Sequence, residues 1–212
     1  MLRIGVMVSG GGTNLQAILD RIEDGTLKNC SVVTVVSSNS EALAIERAKR
    51  KNIPVAVISR KSFDNEEDYN QALIAHMKKY GVELVVLAGF LSRLGESFIN
   101  EYKNAIINVH PSLIPAFCGK GYYGIIPHRK ALEYGVKITG ATVHFVEPEY
   151  DSGPIILQKA VEVLPDDTPE TLQKRVMEQA EWIILPEAIR LFSEGKLEIN
   201  GRKVIIRDTD SE

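Results

Sequence analysis

The first twenty-two residues restrict the fold more than any other stretch of the chain. Leu2 to Val8 is an apolar run interrupted by Arg3, the pattern of a strand buried on both faces of a parallel sheet. Ser9-Gly10-Gly11-Gly12-Thr13-Asn14 follows, and then Leu15, Ile18, Leu19 and Ile22 recur at helical spacing. Strand, glycine-rich turn and helix in that order aim backbone amides at an anion. The glycines let the main chain approach a ligand, and Thr13 and Asn14 add side-chain donors. No lysine precedes Lys28, so the turn is not a triphosphate loop. The third glycine of a dinucleotide fingerprint is replaced by Leu15. After Val32 to Val36 the chain reads Ser37-Ser38-Asn39, with no acid for an adenosine ribose. The expected ligand is a small molecule with a single phosphate, not ATP or NAD.

The next hundred residues repeat the strand–helix alternation. Glu41 to Lys51 predicts a helix and Pro54 to Ile58 a strand. Glu66 to Tyr80 predicts an amphipathic helix with Tyr69, Leu73 and Met77 inward, His76 in solvent and Gly81 as its cap. Glu83 to Ala88 and Ala105 to Ile107 read as further buried strands. This rhythm predicts a doubly wound, mostly parallel α/β sheet, whose ligands gather at the carboxyl ends of the strands. Those ends are Ser9–Asn14, Gly89–Leu94 and Asn108–His110.

Beyond residue 115 the pattern changes. Ala116 to Pro127 is rich in glycine and aromatic residues and reads as a mobile lid, followed by a short helix from His128 to Tyr134. Lys137 to Val146 and Pro154 to Val161 are β-rich and joined by a turn, Glu147 to Gly153, which predicts an antiparallel addition to the sheet. A long final helix is expected from Thr168-Pro169 to about Ser193, kinked or divided at Pro186. Lys196 to Asp208 suits an edge hairpin around Asn200-Gly201.

Asn108 and His110 stand two apart on an extended segment, so both leave the same face of the chain. An imidazole that titrates near neutrality beside an amide donor is what acyl-group transfer needs. Asp151, before Ser152-Gly153, reads alone as a turn residue, and His144 in mid-strand as a structural histidine. Cys118 has no adjacent base and is given no nucleophilic role. With two cysteines and no metal-ligand spacing, the chain suits a reducing cytoplasm. A net charge of −3 gives no basic footprint, so nucleic acid is not an expected partner. No run approaches membrane-spanning length and no signal peptide opens the chain, so no membrane partner is expected.

Taken in order, Ser9–Asn14, Leu87-Ala88-Gly89-Phe90, Asn108–Pro115 and Thr139–Val146 through Asp151–Ile156 resemble the phosphoribosylglycinamide formyltransferase family, the folate-dependent enzymes of purine synthesis. The resemblance runs to about Gly195. It implies a Rossmann-like formyltransferase fold in a single domain over 1–212. Within it, 1–100 would be a phosphate-binding half, 101–195 a catalytic and folate half, and 196–212 a C-terminal tail or hairpin. It implies formyl transfer from 10-formyltetrahydrofolate, a co-substrate, to the amine of glycinamide ribonucleotide, without metal or ATP, by a monomer or homodimer. Carried over by motif, Gly12, Thr13 and Asn14 hold the substrate phosphate and Glu181 the ribose. Asn108, His110 and Asp151 form the catalytic trio, and Leu91, Ser92, Arg93 and Leu94, with Asn108, meet the folate. The chain departs from many relatives at Glu66, where they carry an arginine for the folate tail. It departs again at Leu91-Ser92, where they read Met-Arg, and in the longer segment Gly119 to Gly124. A formyltetrahydrofolate hydrolase, which would normally carry an extra N-terminal domain, shares a similar Asn, His and Asp set. A methionyl-tRNA formyltransferase, which needs an RNA-binding domain, shares a related loop. A non-catalytic nucleotide-binding module would retain the phosphate turn alone.

Overall fold

The computed structural model describes residues 1–207. The chain forms two compact units, one ending at Asn108 and the other starting at Val109.

In the first unit five strands lie in the order β3-β2-β1-β4-β5. They are β1 (Leu2–Val8), β2 (Cys30–Ser37), β3 (Val55–Val57), β4 (Leu84–Leu87) and β5 (Ile106–His110), the last of which crosses the boundary between units. All four pairings are parallel. Parallel strands need crossovers, and α1 (Thr13–Glu23), α2 (Leu43–Arg50), α3 (Glu66–Lys79) and α4 (Glu96–Glu101) supply them. Ile4, Val6, Met7 and Val8 of β1 are wholly buried, as are Val85 and Val86 of β4, which explains the near-continuous apolar runs. The strand order reverses between β1 and β4. Such a switch point separates the loops that leave neighbouring strand ends and opens room for a ligand.

His76 corrects an expectation. It is half-buried, with Nε2 2.8 Å from Thr34 Oγ1 and its ring 4.9 Å from that of Tyr80. Burial pulls its pKa down, as does Lys79. The charged residues next to it in sequence hid a neighbour on β2, 42 positions away.

In the second unit β6 (Ile138–Phe145) and β7 (Ile155–Glu162) run antiparallel, and β8 (Leu197–Asn200) and β9 (Lys203–Ile206) form the expected hairpin in the order β6-β7-β9-β8. Asp208, the last residue expected in that hairpin, lies outside the described residues. Helix α5 spans Ile126–Tyr134 and starts two residues before the predicted helix. Pro127 sits in its first turn, where a missing N–H costs nothing.

The final helix is divided, but not at Pro186. Helix α6 (Pro169–Val176) begins at a capping box on Thr168, and a π-helical turn, Met177–Glu181, joins it to α7 (Trp182–Ser193). Pro186 lies inside α7. Its ring crowds the carbonyl four residues back, on Trp182, and the irregularity is taken up in the wider turn just before that residue.

Candidate active site

In the first unit the glycine turn is held from behind by α2. Ala44 N–H donates to the Gly10 carbonyl at 3.1 Å, and Arg47 Nε donates to the Gly11 carbonyl at 2.9 Å. Gly12 caps α1 at φ 70, and a Cβ there would fall 2.6 Å from Ala44 Cβ and 2.7 Å from Ala44 Cα. Glycine at 12 is therefore required by both conformation and packing. Gly10 and Gly11 differ: a Cβ on either meets nothing within 4 Å. Their bareness serves no internal contact and suits a ligand that approaches the main chain. Thr13 opens α1 half-buried, and Asn14 is buried in its first turn. That turn has no acidic side chain, whereas α3 starts with Glu66, Glu67 and Asp68 under an Asn65 cap. The positive end of α1 is thus not neutralised by its own residues, as an anion site requires.

The same unit brings the end of β4 to the glycine turn. Ser9 Oγ accepts from Leu91 N–H at 2.9 Å and lies 2.6 Å from Ser38 Oγ, so one hydroxyl ties together the loops after β1, β2 and β4. Leu91 is 60% exposed while Leu94 is buried; Ser92 is half-buried and Arg93 exposed. Sequence reasoning missed Ser9 as the junction, because a lone serine before glycine carries no distance information.

In the second unit three titratable side chains converge. His110 ends β5 and is buried; its Nδ1 is 3.5 Å from Asp151 Oδ2. Its Nε2 is 2.9 Å from the Phe117 carbonyl oxygen, which can only accept, so Nε2 carries a proton and donates. Asp151 also accepts from Gly119 N–H at 2.8 Å, and its other oxygen lies 3.6 Å from His144 Nε2. Phe117 and Asp151 both hold positive φ, 50 and 51, the left-handed conformation that costs a side chain of order 1 kcal/mol. The segment between His110 and the lid is bolted down: Thr142 Oγ1 donates to the Ser112 carbonyl at 2.7 Å and accepts from Ile114 N–H at 3.1 Å. The lid itself is irregular, as expected, and touches the site through main-chain groups of Phe117 and Gly119.

Electrostatics follow from these contacts. Burial is the largest influence on His110 and pulls its pKa down, against Asp151 and the Phe117 carbonyl, which favour the charged ring. Burial acts to raise the Asp151 carboxyl, but His144, His110 and the Gly119 amide together hold it below the usual value. His128 of α5 is 1% exposed, and neither ring nitrogen has a hydrogen-bond partner among the described residues. Burial and the nearby His110 push it down to about 4. Burial and Asp151 raise the Cys118 thiol, in keeping with its lack of a nucleophilic role.

Among the described residues no group of His, Cys, Asp and Glu is arranged to hold a metal ion. What the three side chains can do is donate a hydrogen bond from His110 Nε2 and move a proton through Asp151. Asn108 lies on β5, two residues before His110, so the two alternate onto one face of that strand. Glu181 is buried in the π-helical turn. His144 and His128 were missed as members of the cluster. The signal available for His144 was its position seven residues before Asp151, across one turn.

The sequence model of the formyl transferase family covers residues 2–189. The phosphoribosylglycinamide formyltransferase of Haemophilus influenzae is 38% identical over 94% of this chain and 91% of its own length. The trifunctional purine biosynthetic protein adenosine-3 of Chironomus tentans is 39% identical over 94% of this chain, which spans 14% of that longer protein. Among solved structures, glycinamide ribonucleotide transformylase 1 from Symbiobacterium toebii superposes with a TM-score of 0.92 at 45% identity, covering 98% of this chain and 95% of that one. A family model that matches residues 2–189, with the Haemophilus and Symbiobacterium proteins alike over more than nine-tenths of their length, makes this chain a member of the formyl transferase family.

Proposed function

We propose that the chain transfers the formyl group of 10-formyltetrahydrofolate to the amine of glycinamide ribonucleotide, a step of purine biosynthesis. The relatives that it matches end to end are named for that reaction. The observation that carries the reading is the hydrogen bond from His110 Nε2 to a carbonyl oxygen at 2.9 Å. On this reading the formyl oxygen replaces the Phe117 carbonyl as the acceptor of that donor.

The chemistry then runs as follows. The substrate amine attacks the formyl carbon; a C–N bond forms and the carbonyl electron pair moves to oxygen. His110 Nε2 and the Asn108 amide donate to that oxyanion. One proton leaves the attacking nitrogen and one reaches the folate nitrogen as its bond to the formyl carbon breaks, with Asp151 as the relay. Gly12, Thr13 and Asn14 hold the phosphate, and Glu181 the ribose. The exposed Leu91 and the main chain through Ser92, Arg93 and Leu94 receive the pterin. No phosphoryl group moves, so neither ATP nor magnesium is required. No helix among the described residues is long and apolar enough to cross a membrane, and the reading places the enzyme in the cytoplasm as a monomer or homodimer.

The assay is direct. Purified protein, dialysed against chelator, is given 10-formyltetrahydrofolate with and without the ribonucleotide. Formyl transfer that needs the ribonucleotide but not ATP, magnesium or formate is expected. Strict dependence on ATP and formate, or equal release of free formate without the ribonucleotide, overturns the reading.

A further inference from the structure

Three consecutive carbonyls of the glycine turn are each taken by a protein donor. Ala44 N–H donates to Gly10 at 3.1 Å, Arg47 Nε to Gly11 at 2.9 Å and Gln16 N–H to Gly12 at 2.9 Å. The peptide bonds here are trans, so the amide after each carbonyl points the opposite way. The N–H groups of Gly11, Gly12 and Thr13 are thereby turned away from those donors. Successive amides set in this way form the kind of concavity that holds a phosphate.

The three carbonyls are not equally secure. Main-chain amides of α2 and α1 hold the first and third, and no ordinary side-chain substitution removes them. The middle one depends on a single side chain, that of Arg47. Its peptide joins Gly11 to Gly12, and without a Cβ on either side it can rotate at little steric cost. Half a turn would put the Gly11 carbonyl oxygen where the Gly12 amide stood, and an acceptor there repels a phosphate.

Arg47 is placed to prevent that rotation and to add charge. It is half-buried, and its stem lies so close that a Cβ on Gly12 would be 3.3 Å from Cδ. Its Nη1 donates to Gln16 Oε1 at 3.1 Å, while Gln16 Nε2 donates to Asp20 Oδ1 at 2.7 Å. The neutral Gln16 amide therefore stands between the guanidinium and that carboxylate. The ion pairs of α2 and its cap run instead from Lys49 to Glu46 and from Lys51 to Glu23. Among the described residues no carboxylate pairs with Arg47. Its charge adds to the positive end of α1 rather than cancelling against an acid.

We propose that Arg47 is a positioning residue for the ribonucleotide: it holds the Gly11–Gly12 peptide with its amide toward the phosphate and sets an unpaired cation behind it. The inference deepens the formyl-transfer reading, in which this turn takes the phosphate, and rests on it. Arg47 touches neither substrate and acts through the main chain of the turn.

The test uses two variants. Arg47→Met keeps the apolar stem against Gly12 but removes the donor and the charge, whereas Arg47→Lys keeps the charge and one flexible donor. The Met variant is expected to raise KM for the ribonucleotide about tenfold to a hundredfold, with kcat and the folate KM within about twofold of wild type. The Lys variant is expected to recover the ribonucleotide KM to within about fivefold of wild type. In ¹H–¹⁵N NMR the wild-type Gly12 amide should move downfield when the ribonucleotide is added, and the Met variant should lose that shift. Wild-type KM in Arg47→Met overturns the inference. So do equal losses in kcat and in both KM values, because a side chain that only packs α2 on α1 would disturb the whole unit. Should the Met variant not fold, the wild-type spectrum decides: a Gly12 amide that stays still while those of Gly11 and Thr13 move sinks the proposal. A wild-type protein in which none of the three amides responds, or which transfers no formyl group, sinks instead the reading on which it rests.

Discussion

The glycine turn of the first unit and the His110–Asp151–His144 cluster of the second are built from different parts of the chain. The turn is main chain: carbonyls of Gly10 and Gly11 face α2, Gly12 is forced by its φ of 70, and two positions are bare without any internal reason. The cluster is side chains whose protons are set by main-chain carbonyls, Phe117 for His110 and Phe145 for His144. A site made of amides holds charge without titrating. A site made of imidazoles and a carboxylate titrates, and depends on single atoms. The proposed reading therefore gives affinity to the first and turnover to the second.

The largest effects should come from removing a member of the cluster. His110→Ala is expected to lower kcat by about 10²- to 10⁴-fold, and Asp151→Asn by somewhat less, since the amide keeps an acceptor for Gly119 N–H. Steady-state kinetics on folded variants check this, and near-normal turnover in either would break the comparison.

Titration of the second unit should also appear in its stability. His128 has its folded pKa at about 4 against a usual 6.5, so the unfolded chain binds the extra proton between those values. Stability from this group is complete above about 6.5 and is lost as pH falls toward 4, by about 2 kcal/mol at pH 5. Urea unfolding at pH 7.5 and 5 should show a drop in wild type that is smaller by that amount in His128→Leu. Equal drops in both proteins would show that the buried ring contributes nothing to it.

The smallest effect sharpens the other side. Gly11→Ala meets no atom within 4 Å, so its melting temperature should match wild type. Its KM for the ribonucleotide should still rise about threefold to tenfold, because on the proposed reading the methyl stands where the phosphate approaches. An unchanged KM would remove the reason for the bare positions.

The two regions also differed in how far the sequence revealed them. Strands buried on both faces leave continuous apolar runs, and the glycine turn is contiguous, so the parallel half and its glycine turn were legible residue by residue. The antiparallel pair β6 and β7 was legible too, from two β-rich runs joined by a turn. What was not legible depends on distances across the chain. His76 meets Thr34 on another element, and His144 lies 3.6 Å from Asp151 across the turn that follows its strand. Pro186 was the visible signal of a break, but the helix yields in the turn before the carbonyl that the proline crowds. Asp151 looks like any turn aspartate until its two histidines are in view.

The division of labour is tested most directly by isothermal titration of glycinamide ribonucleotide into the His110→Ala variant. The account predicts a Kd within about twofold of wild type from a protein that has lost formyl transfer. A Kd that weakens in step with the loss of turnover would contradict it, because binding and proton chemistry would then share the same side chain.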